Sequence, residues 1–450
     1  MMKSGLILSV LMLYLASGVS AAVPELETLP NGLEVIWFPD SKLPLIDLTL
    51  IVKSGSRDDL SGKSGTVEYL ARALDRAAEI EALGAELSVT PEEEFITIGL
   101  HGLAMDAPAL LKSLSKTVIH PKLSSPEVLR HSSNILERWA QMANSGELLL
   151  NLASRRQSAS GTAYGRGTIY SAEEFKKITP ADLISFHQTH FTPKNASLLI
   201  VGRADRAQLR QELMKSFGPW SGEAPSRVVK SFTDNRIPPI KSGGVLIVNR
   251  PGLQQAQVRI GFRAPSFNHP DQYALAVVNA LFGEYFDSRL NVLLRDKLGL
   301  TYAIASGFIF NRELGVFNIS AGTRNASVGP LLRKTLEALH LLRSGTITDQ
   351  EIQTAKDYLA GGFPLQIATL NSFASRWTVG HLLGLDSEFL SQFVPKIQAV
   401  TRVDIERVVK AHFSPPKIYL AAVGDAKEIQ KSLTEQGGFT SKVITEKDLF

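Results

Sequence analysis

"ITPADLISFHQTHFTPKNASLLIVGRAD" (Ile178–Asp205) and "VTRVDIERVVKAHFSPPKIYLAAVGDAK" (Val400–Lys427) align without a gap. Thr179 falls on Thr401, Asp182 on Asp404, His190-Phe191 on His412-Phe413, Pro193 on Pro415 and Val201-Gly202 on Val423-Gly424, at a constant offset of 222 (401 − 179). A gapless set of this length is duplication rather than chance, so the chain reads as two copies of one unit. Each segment has the same plan. A Thr N-cap opens a helix with apolar residues at helical spacing, a Pro-containing turn follows, and a short β run closed by Gly completes it.

Working outward, the stretch Trp220–Gly244, "WSGEAPSRVVKSFTDNRIPPIKSGG", is rich in Pro, Gly, Ser and basic residues and has no sustained period. It reads as a linker over 221–244, between units at 23–220 and 245–450. In unit one "LEVIWF", "IDLTLIVKSG" and "FITIGLHGL" read as strands, and Ser64–Leu83, Pro108–His120 and Pro126–Ala143 as helices. In unit two "GVLIVNR" and "AQVRIGFRA" read as strands, Pro270–Leu281 as a helix, and "YAIASGFIF" with "GVFNISAGT" as a pair of adjacent strands. The fold class is α+β: in each unit a mainly antiparallel sheet covered by helices.

The totals bound the answer. A chain of 450 residues, 44% hydrophobic and 20% charged, is globular and long enough for real cores. A net charge of +4, spread thinly, does not argue for nucleic acid or a membrane surface. Residues 1–22 read as a secretory signal peptide: Lys3, an apolar run from Gly5 to Ala16 too short to span a bilayer, and small residues leading to cleavage after Ala21 or Ala22. The mature protein is expected to be soluble and periplasmic. Cysteine is absent, which removes disulfides, thiolate metal sites and a cysteine nucleophile together.

The helix "SGTVEYLARAL" (Ser64–Leu74) has Val67, Leu70, Ala71, Leu74 and Ala78 on one apolar face. Glu68 and Arg72 stand four apart on another stripe, the favourable order for an ion pair. This pair cannot hold zinc, because a guanidinium has no free lone pair.

The stretch Asn31–Leu74 resembles the opening of the pitrilysin/insulinase family of zinc metallopeptidases, which includes the mitochondrial processing peptidases. Active members carry H-x-x-E-H on this helix, two His ligands and a Glu general base. Here the His positions fall on Glu68 and Arg72, and the Glu on Ala71. The third ligand, a Glu on a later helix, falls on Arg138 within "NILERWAQ", with Glu137 one position away. The resemblance covers almost the whole mature chain and implies a clam-like half-chamber without zinc of its own. Folding is then expected to be indifferent to chelators.

"SRLNVLLRDKLGLTYAIASGF" (Ser288–Phe308) is similar to the family's second-domain segment, in which an Arg and a Tyr seven residues later face the zinc site and contact substrate. Here they are Arg295 and Tyr302. Taken alone, the two read as an Arg pairing at a helix end and a half-buried strand Tyr. The resemblance turns them toward function, since both are donors suited to developing negative charge. Leu298 and Leu300 are expected to anchor the turn and Lys297 to face solvent.

The family's paired chains imply the rest: a homologous partner with an intact H-x-x-E-H motif that brings the zinc, and an unfolded peptide as substrate. This chain then supplies Arg295 and Tyr302 and has no peptidase activity by itself. A strand near Glu94–Leu100 is expected at the sheet edge, where a peptide could add. The alternatives are a catalytically dead scaffold or assembly protein, and a free-standing peptide-binding protein. His187 and His190 ("HQTH") have metal-like spacing without an acid nearby, and the recurrence of His190 as His412 points to a shared structural role. "GKSG" at Gly62–Gly65 reads as a turn.

Overall fold

In the computed structural model, residues 23–449 are described apart from 41, 75–77, 124–125, 143, 166–170, 227–243, 346 and 414–417. Residues 1–22, read above as a signal peptide, and most of the expected linker at 221–244 fall outside the described residues.

The duplication is carried by two six-stranded sheets. The strands are β1 (Glu25–Thr28), β2 (Glu34–Pro39), β3 (Leu45–Val52), β4 (Glu86–Pro91), β5 (Ile96–Leu103), β6 (Ala196–Gly202), β7 (Gly244–Asn249), β8 (Gln255–Ala264), β9 (Ile304–Phe310), β10 (Gly315–Arg324), β11 (Tyr419–Gly424) and β12 (Thr440–Ile444). Their orders are β1-β2-β6-β3-β5-β4 and β12-β7-β11-β8-β10-β9. In both sheets the strand of the repeated segment lies parallel to the first long strand, β6 to β2 and β11 to β7. The remaining shared ladders are antiparallel. Both sheets are therefore mixed, with antiparallel pairings the more numerous. They differ at one edge, where β1 adds antiparallel to β2 but β12 adds parallel to β7.

The helices longer than two turns are α1 (Thr66–Leu74), α2 (Ala107–Ile119), α3 (Pro126–Met142), α4 (Gly146–Ser158), α5 (Pro180–His190), α6 (Arg206–Phe217), α7 (Gln272–Asn279), α8 (Val328–Arg343), α9 (Asp349–Gln366), α10 (Leu370–Leu382), α11 (Arg402–His412) and α12 (Ala426–Gln436). The repeated helices α5 and α11 both open on a capping box. Thr179 accepts from the Asp182 N–H and Thr401 from the Asp404 N–H, each Asp side chain returning the bond.

The units cover one another. One face of each sheet packs on its own helices. The other face of the second sheet is covered from unit one by α4, through Leu149, Leu150, Leu152 and Ala153 against Leu246, Val248, Ala421 and Val423. Reciprocally, Ile36, Phe38, Leu199 and Val201 of the first sheet meet Phe363, Ala374, Trp377 and Leu390 of unit two. This explains why "VIWF" and "LLIV" within these strands are continuous apolar runs rather than alternating ones, since both faces of the strands are dry there. Helix α4 was not foreseen, and it is one of the elements that tie unit one to unit two.

Two other expectations change. Within Ser64–Leu83, α1 starts at Thr66 rather than Ser64, Ala78–Glu81 is helical and the chain leaves the helix after Glu81, with residues 75–77 outside the described residues. The edge strand is β4, not the segment Glu94–Leu100, because β5 is paired on both sides. Among the described residues no helix is long and apolar enough to cross a membrane.

Candidate functional site

Helix α1 is held by a residue the sequence did not single out. The buried carboxylate of Asp59 accepts from the Gly65 N–H at 2.6 Å and the Val67 N–H at 2.9 Å, satisfying two of the orphan donors at the helix start. Val67, Leu70, Ala71 and Leu74 then pack into the first core, and the Tyr69 hydroxyl donates to the Val128 carbonyl at 2.8 Å. At the motif positions, Arg72 Nε lies 3.2 Å from Glu68 Oε1 and Ala71 is buried. A guanidinium on the only carboxylate and a methyl group in the core do not fit a zinc ion. Arg138 and Glu137 sit on α3 between the buried anchors Ile135 and Trp139, and both are exposed.

Arg295 and Tyr302, by contrast, line one cavity of about 450 Å³, with Gln255, Leu300, Thr301, Thr323 and Arg324. The local fold explains how. Arg295 belongs to a π-helical segment, Asn291–Lys297, anchored by buried Leu290 and Leu294. The buried Asn291 amide donates to the Ile304 carbonyl at 2.9 Å and fixes the segment against β9. Gly299, at φ +56°, turns the chain back. Two threonines then staple the loop: Thr323 Oγ1 donates to the Leu300 carbonyl at 2.5 Å, and Thr301 Oγ1 lies 2.7 Å from the Gly322 carbonyl. Between these fixed points Tyr302 is left 97% exposed, before β9 begins. It is not a half-buried strand aromatic.

The Arg295 guanidinium is half-buried, stacked 3.6 Å from the Phe286 ring centroid and bonded to its own neighbour, Asp296 Oδ1, at 2.7 Å. That bond holds the Asp296 carboxyl below its ordinary range. A ligand that takes Arg295 must compete with Asp296, an exchange between two solvent-facing anions. Leu300 packs against the second core, but Leu298 is exposed and does not anchor the turn. Lys297 is exposed as expected. Arg324, not singled out from the sequence, is a second cation at the cavity, paired in register with Gln255 across β10 and β8. Its position at the end of an alternating strand was the only signal for it.

The histidines separate. His187 Nε2 lies 2.7 Å from the Val118 carbonyl, and burial pushes the ring's pKa down, which suits a neutral structural donor. His190 meets the Ser54 hydroxyl at 2.8 Å. His412 instead meets Asp271 at 2.7 Å, so the recurring histidine does not keep a shared environment. "GKSG" is a turn with Gly62 and Gly65 at positive φ, its lysine 2.5 Å from Asp182.

Residues 177–359 match a family described as the peptidase M16 inactive domain. An uncharacterized zinc protease of Mycobacterium tuberculosis is 25% identical over 441 residues, covering 94% of this chain and 97% of the relative. The bovine mitochondrial-processing peptidase subunit beta is 24% identical over 380 residues, covering 78% of this chain and 74% of that protein. Bovine cytochrome b-c1 complex subunit 1 is 25% identical over 278 residues, 59% of this chain and 56% of that protein. Among solved structures, a peptidase M16 inactive domain from Pseudomonas fluorescens superposes with a TM-score of 0.79 at 20% identity, covering 90% of this chain and 98% of that one. A protease from Helicobacter pylori does so at 0.78 and 22%, covering 89% and 99%. These two likenesses concern the fold.

Proposed function

Because the chain belongs to the M16 peptidase family, we propose that it is a non-catalytic subunit of a heterodimeric, secreted zinc metallopeptidase. It binds unfolded peptide and presents Arg295 and Tyr302 to the active site of a homologous partner that carries H-x-x-E-H and the zinc. The observation that carries this reading is a contrast within one chain. The motif positions Glu68, Ala71 and Arg72 are closed off by an ion pair and by core packing, whereas Arg295 and Tyr302 share an open cavity. A charged fork and a phenolic donor at one opening can take up negative charge developing on a substrate carbonyl. Arg324 adds positive potential at the same rim.

The test is isolation of the native protein from its extracytoplasmic compartment. Expected is a second chain of similar size bearing H-x-x-E-H, with a zinc held by that motif in a four-coordinate catalytic site. Changing Arg295→Ala and Tyr302→Phe together should abolish peptidase activity of the pair and leave assembly intact. A pair that keeps full activity with both changes overturns the reading and favours the scaffold role, to which the likeness to a cytochrome b-c1 subunit lends weight. A chain that elutes alone yet retains peptide favours a free-standing binding protein.

A further inference from the structure

Unit two holds a group of side chains of metal-ligating type, which shares no residue with the Arg295 cavity. His269 and Asp271 stand on the turn into α7, and His412 is the last residue of α11. One ligand atom from each lies within 4.8 Å of the other two. Asp271 Oδ2 is 2.7 Å from His412 Nε2 and 3.8 Å from His269 Nδ1. The two imidazole rings stand edge to face, at 86°. We propose that His269, Asp271 and His412 bind one divalent transition-metal ion of the zinc type, clipping the start of α7 to the end of α11.

The donor set selects the ion. Two imidazoles and one carboxylate suit zinc and its neighbours, whereas calcium and magnesium require oxygen ligands. Metal–ligand bonds of about 2.0–2.1 Å put tetrahedral neighbours roughly 3.3 Å apart. The observed 2.7 and 3.8 Å bracket that spacing, so small side-chain shifts reach it. His269 Nδ1 is the unprotonated ring nitrogen, since it accepts the Asp271 backbone N–H at 3.1 Å, and a small rotation of the half-exposed ring releases that lone pair to the ion. When the ion binds, His412 takes the tautomer with its hydrogen on Nδ1, which leaves the Nε2 lone pair for the ion and keeps the ring neutral. Arg407 lies 2.7 Å from the other carboxylate oxygen, Oδ1, which leaves Oδ2 for the ion and fixes the carboxylate's orientation.

The fold itself does not demand this trio. At the repeated position in unit one, His190 takes a serine hydroxyl and stacks on Phe186. Asp271 is buried at the start of α7, yet its side chain makes no capping bond to that helix. Its carboxylate is turned instead to His412 and Arg407. The core of unit two is complete without an ion, so a chelator is expected to empty the site without unfolding the chain.

Titration of the full chain with Co²⁺, followed by visible absorption, tests this. Expected is an intense low-symmetry band saturating at one equivalent, and a melting temperature that rises with added Zn²⁺. The variant His269→Gln, on a half-exposed side chain outside the core, should weaken binding by about tenfold or more while circular dichroism stays unchanged. His190→Gln should leave the band as it is. Absence of the band in the wild-type chain, or its persistence at full affinity in both His269→Gln and Asp271→Asn, would overturn the proposal.

Discussion

Helices α5 and α11 end in the same dipeptide, His-Phe, and the two halves of that dipeptide behave differently. Phe191 and Phe413 are both buried in their units' cores. His190 and His412 have unrelated neighbours, a serine in one unit and a buried aspartate in the other. The apolar residue is fixed by the repeated scaffold, because every copy of the unit offers it the same sheet and helices. The polar residue takes its meaning from segments that are not repeated, here Ser54 and the turn at His269–Asp271. Duplication preserves packing and leaves chemistry free to diverge.

The largest expected effect tests the conserved half of that comparison. Phe413→Ala removes a ring in contact with Phe262, Phe308 and Phe317, and Phe191→Ala one stacked on His187. Each should cost about 3–5 kcal/mol, the range for truncating a buried aromatic. Phe413 should cost more, since it has more aromatic neighbours to leave around a void. Denaturant unfolding of the two variants checks this. A loss below about 1 kcal/mol at either site would break the view that the repeat encodes packing.

How far the sequence carried the interpretation follows the same division. The paired segments, the strands around them and the buried face of α1 were legible, because hydrophobic period and capping chemistry are local signals. Helix α4 was not, because Leu149 to Ala153 face a sheet from the other half of the chain, and no local pattern names that neighbour. The edge strand was misplaced for a related reason: pairing order is a non-local property, and β4 and β5 read alike. At the candidate site, Arg295 and Tyr302 were legible only through a family pattern. Arg324 and Asp271 reach their places through strand register and a turn.

A smaller effect sharpens the divergent half. Glu34, on β2, is reached by His381 from α10 of the other unit at 2.8 Å. That hydrogen bond, with help from Ser197 and Lys53, outweighs burial and lowers the carboxyl pKa from its ordinary 4.5 to about 2. By linkage, a carboxylate with a depressed folded pKa contributes stability above its unfolded value, and the contribution drains away as pH falls from about 4.5 toward 2. With solvent screening of a half-exposed pair allowed for, it should amount to about 1–2 kcal/mol. In the second sheet the corresponding position is Gly244, paired with Thr440 across β12, so no such acid-labile contact exists there. Glu34→Gln should lower the melting temperature at neutral pH and flatten its decline across the acid window. A variant whose acid profile parallels the wild type would place the sensitivity elsewhere.

The smallest expected effect asks whether the repeated capping boxes are energetically equal. Thr179→Ala and Thr401→Ala each remove a side-chain acceptor from one orphan N–H and should each cost about 1 kcal/mol. The surroundings are not identical. Asp182 also binds Lys63 at 2.5 Å, whereas Asp404 meets Arg407 only at 3.7 Å. If caps act locally, the two losses should agree within a few tenths of a kcal/mol, because these partially exposed ion pairs add little. If Thr179 costs clearly more, Lys63 is coupled to the cap, and a Lys63→Met, Thr179→Ala double-mutant cycle will return a non-zero interaction energy. That outcome would mean the turn before α1 helps to hold α5, and that even the repeated cap has been drawn into contacts particular to its own unit.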